Sequence, residues 1–154
     1  MKINAFADVS LRAVMVLAAA PAGGLLTTQS IADAVGTPYN HVSKAMAKLR
    51  ELGMIDVVRG RNGGSRLSAA GRIATVGQLL RLLDTRLDPA DCVAAAGACP
   101  LITECRLRAG LARAREAFYR ELDGIVIASL PTARQMTPVF SAIGLRPEIV
   151  GSEL

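Results

Sequence analysis

The sequence predicts a mainly α fold with a small β wing: a winged helix-turn-helix followed by a long dimerisation helix. Three observations predict it. Two helical patterns lie either side of Gly36, one carrying Ile31, Ala32 and Val35, the other Val42, Ala45, Met46 and Leu49. An extended run over 54–59 then turns back through the glycine-rich tip 60–64 into 65–68, which reads as a hairpin or wing. Finally, residues 36–72 hold seven basic side chains against Glu51 and Asp56, which accounts for the whole net charge of +5. A localised basic surface attracts polyanions, of which nucleic acid is the commonest.

The first helix is expected over 4–20, with Phe6, Val9, Ala13, Leu17 and Ala20 on one face and Pro21, Gly23 and Gly24 ending it. Residues 25–26 suit a short strand. Thr27 or Thr28 can cap the second helix, and Gly36 stops it. Pro38 suits the first turn of the third helix, with Thr37 as its cap and Gly53 as its stop. After the wing, Ser68 or Ala69 starts a short turn, and Thr75 caps a helix that runs through Leu83. A loop follows over 84–98. Pro100 is then expected to open the longest helix, to about Asp123, with Leu101, Leu107, Leu111, Ala114, Phe118 and Leu122 as one apolar stripe. The predicted organisation is a winged-helix domain over 1–84, a loop over 85–99, a dimerisation helix and interface segment over 100–130, and a loosely structured tail over 131–154.

The length of 154 residues suits one domain or one domain with an appended element. Lys2 and Arg12 with the apolar run 14–20 imitate a secretory leader, but Asp8 interrupts it and the run is short, so an internal helix is expected. No stretch approaches the ~20 apolar residues of a membrane span. Three cysteines is an odd count that fits a disulfide framework poorly. The expected location is cytoplasmic, with no membrane partner.

In a helix-turn-helix the second helix enters the major groove by its N-terminal end. Here that end carries Thr37, Tyr39, Asn40, His41, Ser43 and Lys44, with Lys48 one turn on. Asn and Ser read base edges, while Lys, Tyr and Ser bond phosphates. The wing presents Arg59, Arg61, Asn62 and Arg66 on a narrow loop suited to a minor groove. Thr28 completes the expected DNA contacts. The plainer reading makes Lys44 and Lys48 a solvated face and His41 a surface residue. The concentration of charge favours DNA.

Cys92, Cys99 and Cys105 fall within fourteen residues on the run leading into the long helix. The helix N-terminus favours thiolate there. Structural zinc usually shows ligand pairs two to four residues apart, and none exists here. A disulfide leaves one thiol over, and inert buried cysteines rarely cluster this way. An iron–sulfur cluster takes thiolates on a loop and accepts a non-cysteine fourth ligand, but spacing alone leaves these readings open.

The order of first helix, Pro38-Tyr39-Asn40-His41-Val42-Ser43-Lys44, wing Arg59-Gly60-Arg61-Asn62-Gly63-Gly64, and Cys92, Cys99-Pro100-Leu101 and Cys105 resembles the winged-helix iron–sulfur regulators, the family of NsrR and IscR, over about residues 1–130. The resemblance implies a homodimer with crossed long helices, a palindromic double-stranded DNA operator, and a 4Fe-4S iron–sulfur cluster on Cys92, Cys99 and Cys105 near the dimer interface. The IscR-like branch places a His three residues after the last cysteine, where this chain has Arg108. Members similar to actinobacterial NsrR take an Asp from the partner's first helix, and Asp8 in Phe6-Ala7-Asp8-Val9-Ser10-Leu11-Arg12 matches that position. A plainer role for Asp8, an i,i+4 ion pair with Arg12, is compatible with it. The first cysteine gap is one residue longer than the family's usual five.

The resemblance therefore implies a repressor that releases DNA on meeting nitric oxide. The same fold answering redox, iron or cluster status is the nearest alternative. A thiol enzyme or metal-free interaction module belongs to another class. Against an enzyme, no cysteine has a sequence-adjacent base, the sole His41 lies on the reading helix, and no paired acids or Gly-rich cofactor loop occur.

Overall fold

The computed structural model describes residues 3–84, 92–94 and 97–149. Helix α1 (Ala5–Ala18) starts where the Asn4 side chain accepts a 2.7 Å bond from the Ala7 amide. Helix α2 (Thr28–Val35) is capped by Thr27, which accepts from the Ser30 amide at 3.1 Å. It ends at Gly36, whose φ of 61° is left-handed and suits a residue with no Cβ. Helix α3 (Tyr39–Glu51) follows at once and packs with α2 against α1.

Strands β1 (Ile55–Val58) and β2 (Gly64–Leu67) pair antiparallel, with Ile55 opposite Leu67 and Val58 opposite Gly64. Their alternation places Ile55, Ser65 and Leu67 inward and leaves Asp56 and Arg66 outside. Leu26 extends this wing sheet by one residue, exchanging bonds of 3.0 and 2.8 Å with Ser65. Ser68 caps the short α4 (Ala69–Ile73). Thr75 and Gln78 form a reciprocal capping box at the head of α5 (Val76–Leu83).

A two-residue hairpin, β3 (Val93–Ala94) and β4 (Gly97–Ala98), precedes the long α6 (Arg106–Leu122). A 3-10 turn (Ile127–Ser129) and α7 (Ala133–Ala142) complete the described fold. The core is one cluster centred on Val14, Ile31, Val42, Leu49, Leu79, Leu83, Ile127 and Phe140. No described helix is long and apolar enough to cross a membrane.

Four expectations are corrected. Thr37 does not cap α3: Pro38 holds the cap position with no side-chain bond, and the Thr37 amide instead closes the end of α2 on Ala32 O at 3.1 Å. Pro38 supplies the helical entry through its fixed φ. The long helix starts at Arg106 and not at Pro100, because Cys105 occupies the cap and Glu104 sits at φ 53°, outside the helical region. Residues 125–130 are not wholly an interface segment. Ile127 is buried in its own chain, and that backbone bonds to Ala74 and Val76.

The stretch after Pro131 is not a loose tail as far as Ile149. Helix α7 buries Met136 and Phe140 against the core despite its internal Pro138, and Glu148 bonds back to the end of α1. Tertiary burial of two large apolar groups outweighs the local helix-breaking signal. The remaining tail residues, 150–154, lie outside the described residues.

Because Phe140 is fully enclosed, Phe140→Ala should cost about 3–5 kcal/mol in denaturant unfolding. A loss below about 1 kcal/mol would show that α7 is not part of the cooperative core.

Candidate nucleic-acid interface and cysteine site

Burial of Val42, Ala45, Met46 and Leu49 fixes the rotation of α3. The opposite face then presents Tyr39, Asn40, His41 and Lys44 to solvent. Tyr39 is 52% exposed, so it is not a core aromatic. Ser43, Lys48, Thr28 and Thr37 are half-buried. Lys48 is held by Glu51 at 2.8 Å, and the Thr37 hydroxyl makes a long bond to Val35 O at 3.4 Å. The Asn40 side chain accepts from the His41 amide at 3.0 Å, keeping its NH2 for another partner.

At the wing, Arg59, Arg61, Asn62 and Arg66 are exposed, and Arg66 faces Asp56 at 3.7 Å. Among the described residues Lys44, Arg59 and Arg61 have no ion pair. Uncompensated cations on the end of a recognition helix and on a hairpin tip are suited to a polyanion.

Cys92 and Cys99 stand at the neck of the second hairpin, where the Cys99 amide donates to Cys92 O at 2.9 Å. Cys105 is the N-cap of α6, its sulfur accepting from the Arg108 amide at 3.4 Å. None of the three forms a disulfide, and all are half-buried. Three cysteine sulfurs make a soft donor set, the chemistry that an iron–sulfur site uses. Among the described residues, however, no three His, Cys, Asp or Glu side chains come together as one metal-holding group. The expected loop residues 85–91 and 95–96 lie outside the described residues. Asp8 is on the exposed side of α1, paired with Arg12 at 2.8 Å.

A constellation the sequence did not reveal joins α5 to α6. Arg81 bonds Asp123 with both terminal nitrogens, at 2.7 and 2.8 Å, and Glu116 at 2.8 Å. Its guanidinium also lies 5.4 Å from the Tyr119 ring, and the Tyr119 hydroxyl donates to Asp84 at the foot of the cysteine segment. Gly77 allows this approach: a Cβ there would collide with Asp123 and with the Tyr119 carbonyl. The partners are 35 and 42 residues from Arg81, so no local spacing could disclose them.

The Arg81 hydrogen bonds hold the Glu116 and Asp123 carboxyls below their ordinary range. Groups shifted down in the folded state stabilise it above the unfolded carboxylate pKa and lose that contribution as pH falls through the folded value. The melting temperature of the wild type should therefore exceed that of Arg81→Gln at pH 7, and the gap should close below about pH 4. A gap independent of pH would contradict the clamp.

Helix-turn-helix, wing and unpaired cations on their exposed sides define a winged-helix DNA-binding protein. Residues 3–133 match the Rrf2 family of iron-dependent transcriptional regulators. The chain is 39% identical over 148 residues to the HTH-type transcriptional repressor NsrR of Streptomyces coelicolor, covering 96% of this chain and 99% of that one. In structure it is similar to T. potens IscR (TM-score 0.65, 23% identity, 83% of this chain and 84% of that one). It is likewise similar to CymR, the global cysteine regulator of B. subtilis (TM-score 0.66, 24% identity, 86% and 99%). The chain belongs to the Rrf2 family and is a DNA-binding transcription regulator, not an enzyme.

Proposed function

We propose that this chain is a homodimeric transcriptional repressor that holds a palindromic operator and releases it in response to nitric oxide. In this reading a 4Fe-4S cluster is ligated by Cys92, Cys99 and Cys105 together with Asp8 of the partner subunit. The observation that carries it is the placing of two cysteines at a hairpin neck and of a third, six residues on, at the head of α6, in a chain similar over nearly its whole length to a repressor. When bound, the cluster supplies iron reactive toward nitric oxide, with one position held by an exchangeable carboxylate.

The protein's own contribution is mechanical. Asp8 lies on α1, and α1 is packed against α3 more extensively than against any other element. Fixing Asp8 in the partner's site therefore fixes the reading helix of the same chain. Two such links set the separation of the two α3 helices at one DNA turn. Freeing Asp8 restores motion between the heads and lowers affinity for two half-sites at once. This supplies the differential contact that allostery requires. The half of α6 that leaves Leu107 and Leu111 at 70% and 38% exposure is the surface for the second copy.

Replacing Asp8 by Ala should leave the fold intact and abolish nitric-oxide-dependent release of operator DNA. Full, nitric-oxide-sensitive binding by this variant would rule out the bridging role. In the wing, Arg59→Ala and Arg61→Ala should each reduce the slope of log affinity against log salt by about one. An unchanged slope would remove the wing from the interface.

A further inference from the structure

On α1, Asp8, Arg12 and Met15 follow one another along a single stripe. Beyond Arg12 the stripe opens into a cleft of about 300 Å³ between α1, α2 and α7, whose apolar lining includes Met15, Val16, Val35, Met136 and Val139. A cavity of ~150 Å³ holds benzene, so this one accepts a branched aliphatic side chain. Its charged rim residue is Arg12, and the carboxylate that Arg12 now pairs with is Asp8.

The complementary pieces lie between the cysteines. Leu101, two residues after Cys99, is 75% exposed. Glu104, one residue before Cys105, is exposed and has no ion pair or side-chain hydrogen bond among the described residues. If Asp8 reaches the partner's cysteines, Arg12, one turn along the same helix and lining the cleft, comes near the segment that those cysteines flank. At the same time Arg12 gives up its carboxylate.

We propose that the 101–104 segment docks on the α1–α2–α7 cleft of a second copy, with Leu101 entering the cleft and Glu104 taking over the Arg12 guanidinium. The occupant is thus this chain itself, matched by one apolar group and one opposite charge. The inference rests on the bridging role proposed for Asp8 and adds a contact that makes that bridge selective for its own partner. It also gives α7 a function, since Met136 and Val139 form one wall of the receiving cleft.

A charge exchange tests it by sedimentation equilibrium of the full chain. Arg12→Glu and Glu104→Arg, both at exposed positions, should each weaken the dimer about tenfold, and the double variant should recover to within about threefold of wild type. Circular dichroism of each variant checks that the fold is kept. Leu101→Ser should weaken the dimer in the same assay with no rescue by either charge change. Single variants that dimerise as wild type, or a double variant no better than the weaker single, would overturn the docking. The bridging role of Asp8 fails separately, by an Asp8→Ala variant that keeps its nitric-oxide response, and the rescue pattern would then still establish the contact.

Discussion

Helix α1 is buried along most of its circumference. Ala7, Val9, Ala13, Val14, Val16 and Leu17 all face protein, and even Ser10 is enclosed, its hydroxyl donating to Phe6 O at 2.8 Å. Each fully buried Val or Leu in such a position is worth about 1.5–3 kcal/mol. The helix therefore cannot rotate or slide without disturbing the packing beneath α3. What α1 leaves outside includes a polar stripe, Asp8 and Arg12, beside exposed Phe6. A restraint applied to that stripe is passed to the reading helix through close-packed side chains, which have few alternative arrangements. The proposed sensing function depends on this rigidity more than on any group in the reading face.

The second rigid joint is the Arg81 clamp. Without it α6 would meet the winged domain mainly through half-buried Phe118 and Leu122, with buried Tyr119 as the anchor. Arg81 adds a two-toothed bond to Asp123 and a bond to Glu116, a geometry that the planar guanidinium fits and an ammonium does not. Asp84, bonded by the Tyr119 hydroxyl, ties the foot of the cysteine segment to the same joint. Asp84 and α6, which flank the cysteine segment in the sequence, are thus held at one joint.

Where structure is set by neighbours in sequence, it was readable. Thr27, Thr75 and Ser68 cap the helices their positions suggest, Gly36 breaks α2, and the alternation around the wing tip gives the hairpin. The exposed reading face follows from the helical period of Val42, Ala45, Met46 and Leu49. Pro100 imitated a helix start that Cys105 supplies, because a sulfur cap leaves no familiar sequence sign. Pro131, Pro138 and Gly144 imitated a loose tail, because the burial of Met136 and Phe140 depends on helices distant in sequence. The Arg81 partners were hidden for the same reason. The three cysteines read as a group from their number and nearness, whereas among the described residues no three candidate ligand side chains come together.

The proposed coupling between an iron–sulfur cluster and the reading head is tested most directly by one titration. Nitric oxide is added anaerobically to the reconstituted dimer on DNA selected for binding, while the visible absorption of thiolate-bound iron and the fluorescence anisotropy of the DNA are followed together. The account predicts that the absorption band is lost and the DNA released over the same range of added nitric oxide. Bleaching with the DNA still bound, or a protein that remains colourless after reconstitution yet binds and releases DNA, would contradict it.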